Sequence, residues 1–229
     1  MQINAGLNER AVVNSAELDW VPSPMPGVYR RMIERDGDEV ARVTSVVRYD
    51  PDSRFSAHVH TGGEEYLVLD GTFSDQYGDF PKGTYVRNPV GSKHAPHTDG
   101  GCTILVKLWW MHGEDQEFVR TNIEDLDLYS ETCTPGIRSL NLHSYERAEE
   151  SVVIIDAGAT LPTRDLPGGE EFYVIKGSCE DRYGTYGTGH WVRTPVGSAP
   201  ELSSTDGCRL LMTQGHLLNP PPGPSGEMR

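Results

Sequence analysis

The sequence predicts an all-β protein of two similar units in tandem, each a β-sandwich or barrel, and three observations predict it. First, sliding the chain by 106 residues lays Gly62-Gly63-Glu64-Glu65 on Gly168-Gly169-Glu170-Glu171, Tyr77-Gly78 on Tyr183-Gly184 and Pro89-Val90-Gly91-Ser92 on Pro195-Val196-Gly197-Ser198. Of the 58 positions from 45 to 102, 22 are then identical without a gap, which marks a duplication. Second, the apolar residues come in short β-branched or aromatic runs bounded by Gly, Pro, Asp or Ser. Third, turn signals recur about every 8 to 12 residues, the rhythm of an all-β sandwich or barrel. With 25 glycines and 16 prolines, the chain turns too often for many helices.

In order along the chain, Val43–Val47, Tyr66–Leu69 and Cys102–Val106 read as strands of the first unit. Their counterparts in the second are Val152–Ile155, Phe172–Ile175 and Arg209–Met212. Between them, 112–131 is acidic and irregular and reads as a linker with one short helical turn. The end, from Asn219 through the proline cluster, lacks the side chains to form a core and reads as a loose tail. The expected domains are therefore 1–125, 126–218 and a tail over 219–229.

Composition removes several classes of function. Thirty-four acidic against 20 basic side chains leave a net charge of −14, which repels nucleic acid and anionic lipid. No apolar run is long enough to span a bilayer, and the N-terminal residues lack a basic segment followed by an apolar core, so the expected location is the cytoplasm. Cys102, Cys133, Cys179 and Cys208 show no C-x-x-C spacing and read as buried or idle thiols. There is no phosphate loop, no G-x-S-x-G elbow and no dinucleotide fingerprint.

One constellation carries chemistry. His58 and His60 are two apart, so on a strand they face the same side. Thr61-Gly62-Gly63 then supplies a tight turn that brings Glu64 back across from His60, so two imidazoles and a carboxylate converge from one hairpin. Downstream, the Pro89–Ser92 turn leads to His94 at a strand entrance, able to give a fourth ligand. His97 and His112 fall near the expected mouth of the site, whereas His143, His190 and His216 lack partners by spacing and read as structural. Tyr66, Phe73, Tyr85, Trp109 and His97 are candidates to line the cavity, core packing being the ordinary fate of such aromatic rings.

These residues resemble the cupin superfamily and, more narrowly, its ChrR-like cupin domain. The first cupin motif is met by His58, His60, Glu64 and Gly71, and the second by Gly83, Pro89, Gly91 and His94, with Thr98 where the motif ends in Asn. The narrower likeness rests on the stretch from Gly63 to Gly71, on Asp75 with Gly78, and on Gly101-Cys102. The resemblance implies two tandem jelly-roll barrels, a bicupin, with one divalent transition metal held by His58, His60, Glu64 and His94. Fe(II) is favoured for catalysis, with Zn, Mn or Ni also accommodated by such a ligand set. It further implies two functions. One is a non-haem metal-dependent dioxygenase acting on a small chelating oxygen substrate such as a β-diketone or hydroxyketone, with Glu64 both ligand and proton acceptor. The other is a non-catalytic metal-dependent sensor of the anti-sigma-factor type. Expected partners are the small-molecule substrate and dioxygen, with a homodimer left open and nucleic acid and membranes excluded.

At the same offset the second copy replaces His58 with Arg164, His60 with Leu166 and His94 with Pro200, and keeps only Glu170. It is expected to bind no metal, and Arg164 is expected to pair with Glu170, a cation standing where the metal would be.

Overall fold

The computed structural model describes residues 1–38 and 40–224. Among these the only helices are two 3-10 turns, Ser15–Glu17 and Leu126–Leu128, and all else of regular structure is strand. The chain forms two compact units. In the first, the main antiparallel sheet runs Gln2–Ile3, Val28–Gly37, Ala41–Tyr49, Cys102–Leu108, Glu64–Asp75, Thr84–Asn88, Val119–Asn122. In the second, the order is Ser130–Glu131, Ile137–Tyr145, Ala148–Ile155, Cys208–Gln214, Glu170–Asp181, His190–Thr194, Ala11–Asn14. From the second strand of each order onward the same path appears twice, as the duplication requires, while the leading strands differ, Gln2–Ile3 pairing with the end of its neighbour and Ser130–Glu131 with the beginning; each unit is a cupin jelly roll.

The repeat is a repeat of core positions. Tyr66, Val68, Val86, Cys102, Ile104 and Val106 are buried in the first unit. Phe172, Val174, Val192, Cys208, Leu210 and Met212 take the equivalent places in the second. Burying such a side chain contributes about 1.5–3 kcal/mol, so keeping these positions apolar preserves the barrel after the copies diverge elsewhere. Gly71 and its counterpart Gly177 are fixed for a sharper reason: both have positive φ, and a Cβ on either would collide with the carbonyl oxygen of Gly101 or Gly207.

The structure departs from the sequence reading in three places. Residues 6–17, expected with the first domain, belong to the second unit, where Ala11–Asn14 pairs with His190–Thr194. The supposed linker contains a strand, Val119–Asn122, which pairs with Thr84–Asn88 and completes the first unit's sheet. Both are edge strands, and short edge strands carry no sequence mark of which partner they will join. In the tail, Pro221 is buried rather than loose, while 225–229 lie outside the described residues. No helix among the described residues is long and apolar enough to cross a membrane.

Candidate metal centre

The site lies in the first unit and draws its ligands from a small two-stranded ladder, not from one hairpin. His58–Val59 pairs with Lys93–His94, and the register sets His94 directly opposite His58. His60 follows just past the strand, held by its N–H donating to the Ser92 carbonyl and its own carbonyl accepting from Gly91 and Gly63. Glu64 opens the long Glu64–Asp75 strand immediately after the turn. The three imidazoles stand edge to face, with centroids 4.9 Å (His58–His60), 4.9 Å (His58–His94) and 4.6 Å (His60–His94) apart. Their nearest ring nitrogens lie within 4.8 Å of one another. Glu64 Oε2 is 3.4 Å from His60 Nε2 and 3.6 Å from His94 Nε2.

Several observations fit this cluster to a metal ion. The Nε2 atoms of His60 and His94 are buried and have no hydrogen-bond partner among the described residues, a costly state for two nitrogens that already face each other and a carboxylate. The opposite nitrogens are engaged: His58 Nδ1 contacts the Ser56 carbonyl at 3.1 Å, and His94 Nδ1 contacts Asp75 Oδ2 at 3.1 Å. Such outer contacts fix the ring orientation and leave Nε2 as the coordinating atom. Burial holds the His60 imidazole below its ordinary range, against the pull of Glu64, and so favours the neutral ligand form. Asn88 donates to Glu64 Oε2 at 3.3 Å and steadies the carboxylate. The donor set of three nitrogens and one carboxylate oxygen suits a divalent transition metal with positions left open.

Beside the ligands is a cavity of about 270 Å³, reached past His58, the one exposed member of the group. Val43, Val47, Val106 and Leu108 make its apolar wall, and Arg30, Arg35 and Glu64 are its charged members. Of the five side chains expected to line it, only Trp109 does. Tyr66 and Phe73 are buried in the barrel core, their rings 5.2 Å apart, and Phe73 backs the His94 ring at 6.2 Å. Tyr85 has the opposite strand parity from inward-facing Val86, and its hydroxyl donates to Glu65 at 2.9 Å on the other face of the sheet. His97 lies on a short strand opposite Arg54 and Ser74.

Trp109 is kept at a cost. It has φ 64°, and its counterpart Gly215 has φ 82°. For a side-chain-bearing residue this conformation costs about 1–3 kcal/mol, and its occurrence beside a site points to a function for the side chain. The indole lies against Gly62, where any Cβ would strike the ring, so the ligand turn and its cover are matched. Arg30 and Arg35 were missed by sequence reasoning, because a β-bulge between Met32 and Glu34 changes the parity of their strand and no residue pattern announces it.

The second unit behaves as expected of a copy that has lost its ligands. Arg164 donates to both oxygens of Glu170, at 2.9 and 2.7 Å, and Gln214 adds a third bond at 2.6 Å. Leu166 is buried where His60 would be. Its three remaining histidines, His143, His190 and His216, are each engaged: His190 contacts the Gly187 carbonyl, His216 lies 3.4 Å from Glu171, and His143 also has a partner.

Sequence comparison now decides the family. The ChrR cupin-like domain model matches residues 8–112 and again 118–218. The chain belongs to the ChrR cupin-like family. A comparison with curated proteins finds no match. Among solved structures, a candidate dioxygenase from Nostoc punctiforme is similar at TM-score 0.73 and 14% identity, covering 90% of this chain and 82% of that one. A glyoxylate-induced protein so named from Pseudomonas aeruginosa, also a candidate by description, gives 0.70 and 14% over 93% and 90%. The pirin YhhW from Escherichia coli, solved with nickel(II), gives 0.64 and 10% over 90% and 98%. At such identities these likenesses establish the cupin fold and nothing finer.

Proposed function

We propose that this ChrR-like bicupin is a non-haem metal-dependent dioxygenase, acting on a small chelating oxygen substrate such as a β-diketone or hydroxyketone. The observation that carries the reading is the convergence of His58, His60, His94 and Glu64, with two orphaned Nε2 atoms, at the wall of a partly apolar cavity. A divalent metal bound there would supply Lewis acidity and, as Fe(II), redox chemistry. His58, His60 and His94 hold it, and Ser56 and Asp75 keep two of those rings aimed. Glu64 is placed to accept the acidic proton of a diketone as its enolate forms. Val43, Val47, Val106, Leu108 and the Trp109 indole exclude bulk water from the bound substrate.

The test is an oxygen electrode. Protein loaded anaerobically with Fe(II) should consume one dioxygen per carbon–carbon bond cleaved when given a β-diketone or α-hydroxyketone, both oxygen atoms entering the products. His60→Ala should be silent. Flat traces with iron, manganese, nickel and zinc alike would overturn the dioxygenase reading and favour a sensor that keeps its metal without turnover.

A further inference from the structure

We propose that the substrate of this site carries a carboxylate, or an equivalent oxyanion, besides its metal-chelating oxygens, and that Arg30, supported by Arg35, receives it. The inference deepens the dioxygenase reading and rests on it for the location of the reacting part of the substrate.

Both arginines are turned into the barrel by their strand. Arg30 is paired with Val47 and Arg35 with Val43, and all four line the cavity. Five residues apart, two side chains on a regular strand would face opposite ways. The bulge between Met32 and Glu34 reverses the parity, so Glu34 turns to Thr44 on the far face and Arg35 turns inward. Arg35 is 6% exposed and shares its field with exposed Asp38. Arg30 has its Nε buried without a hydrogen-bond partner among the described residues.

The charge of the cavity is then anomalous. Its wall holds Arg30 and Arg35 with Glu64 as its single carboxylate, in a chain whose net charge is −14, and Arg35 is already engaged, with Asp38 in its field. A divalent cation at the histidines would add two positive charges beside Arg30. An arginine does not relieve such a field by losing its proton. An anion lying between guanidinium and metal does relieve it, and a carboxylate offers the two oxygens a guanidinium fork accepts.

The second copy supplies an internal control. At the register positions of Arg30 and Arg35 it has Ser139, opposite Val153, and Ser144, opposite Glu149. Where the metal ligands are gone, both arginines are gone as well, and Arg164, in the place of His58, is paired with Glu170. The two guanidiniums therefore belong to the copy that keeps the ligands. Size narrows the class further. At about 270 Å³ the cavity lies at the small end of ligand pockets and suits a small organic molecule. A short β-dicarbonyl compound with a carboxylate at one end satisfies the metal, the arginines and the apolar wall together.

The probe is 4,6-dioxoheptanoate, whose two methylenes keep the carboxylate out of the diketone chelate, compared with its neutral amide. Each is titrated calorimetrically, without oxygen, into Fe(II)-loaded protein, alongside glutarate, which has carboxylates but no diketone. The acid should bind at least tenfold more tightly than the amide. Arg30→Gln should bring the ratio close to one while metal content stays at one equivalent, and Arg30→Lys should restore part of it. Equal binding of acid and amide by the unaltered protein, or an unchanged ratio in Arg30→Gln, overturns the arginine subsite while leaving the diketone reading intact. Should neither diketone bind while glutarate binds in an Arg30-dependent way, the subsite stands and the diketone reading falls. If neither the acid nor glutarate binds, the subsite is refuted. The ligand pair tests the unaltered chain, so the outcome does not depend on any variant folding.

Discussion

Replacing Asp75 with Asn isolates what holds His94 in place. The carboxylate is buried, with one oxygen accepting from the Tyr77 N–H at 2.7 Å and the other facing His94 Nδ1 at 3.1 Å. An amide of the same shape keeps one acceptor. The shorter Tyr77 contact claims it, so an NH2 group is left facing the imidazole N–H and the ring loses its anchor. A hydrogen bond to a charged group contributes about 1.5–3 kcal/mol, and outer-ligand substitutions typically cost about 10–100-fold in metal affinity. At 3.1 Å the contact is longer than the roughly 2.7–2.9 Å of the strongest charge-assisted bonds, which places the loss near the lower end, about tenfold. The assay is competition against a chelator of known affinity, read as metal retained per chain. Asp181, the equivalent residue of the second copy, accepts from Arg10 and Tyr186 instead, and Asp181→Asn should leave metal affinity unchanged. Equal retention by Asp75→Asn and the unaltered protein would refute the orienting role.

Other outcomes follow from the same geometry. Glu170→Ala should leave metal content unchanged yet lower stability by about 3–5 kcal/mol in urea unfolding, because it strands the Arg164 cation in a mostly buried position. Asp115→Ala should cost a similar ~3–5 kcal/mol by the same assay, since Arg87 and Asp115 form a buried pair in the first unit. In metal-free protein, His60 is held below the ordinary imidazole value of 6.5, chiefly by burial, so below that pH the unfolded chain takes up a proton that the folded chain resists. Folding stability should therefore decline as pH falls below about 6.5, and His60→Gln should flatten that part of the profile. Asp181 is shifted the other way: burial raises its carboxyl, but hydrogen bonds from Tyr186, Arg10 and the Tyr183 N–H outweigh it and lower it below 3.8. The stability it contributes is present above about pH 4 and lost on further acidification, so Asp181→Asn should weaken the acid dependence in that window.

The fold is legible because duplication writes it twice. Matched glycines such as Gly71 and Gly177, and matched core positions such as Val68 and Val174, carry constraints that survive divergence. His58, His60 and Glu64 are legible because their spacing is local, and His94 because it closes the separate Pro89–Ser92 turn. The Arg164–Glu170 pair is legible for the same reason, since a lost ligand leaves an identifiable substitute. What the sequence hides depends on parity and partner choice. Tyr85 differs from Val86 by one position and so faces away from the site, while Tyr66 faces inward but lies in the packed core. Arg30 and Arg35 reach the cavity only through a bulge, and the Ala11–Asn14 strand finds its partner in the second unit. Trp109 alone carried a readable hint, since the repeat aligns it with a glycine.

Metal stoichiometry is the deciding quantity for a site held by three histidines and Glu64. Elemental analysis of the chain, loaded anaerobically with Fe(II) and freed of loose ions, should give one equivalent per chain, falling to none in His60→Ala and staying at one in Glu170→Ala. Two equivalents, none, or retention by His60→Ala would contradict a single metal centre at His58, His60, Glu64 and His94.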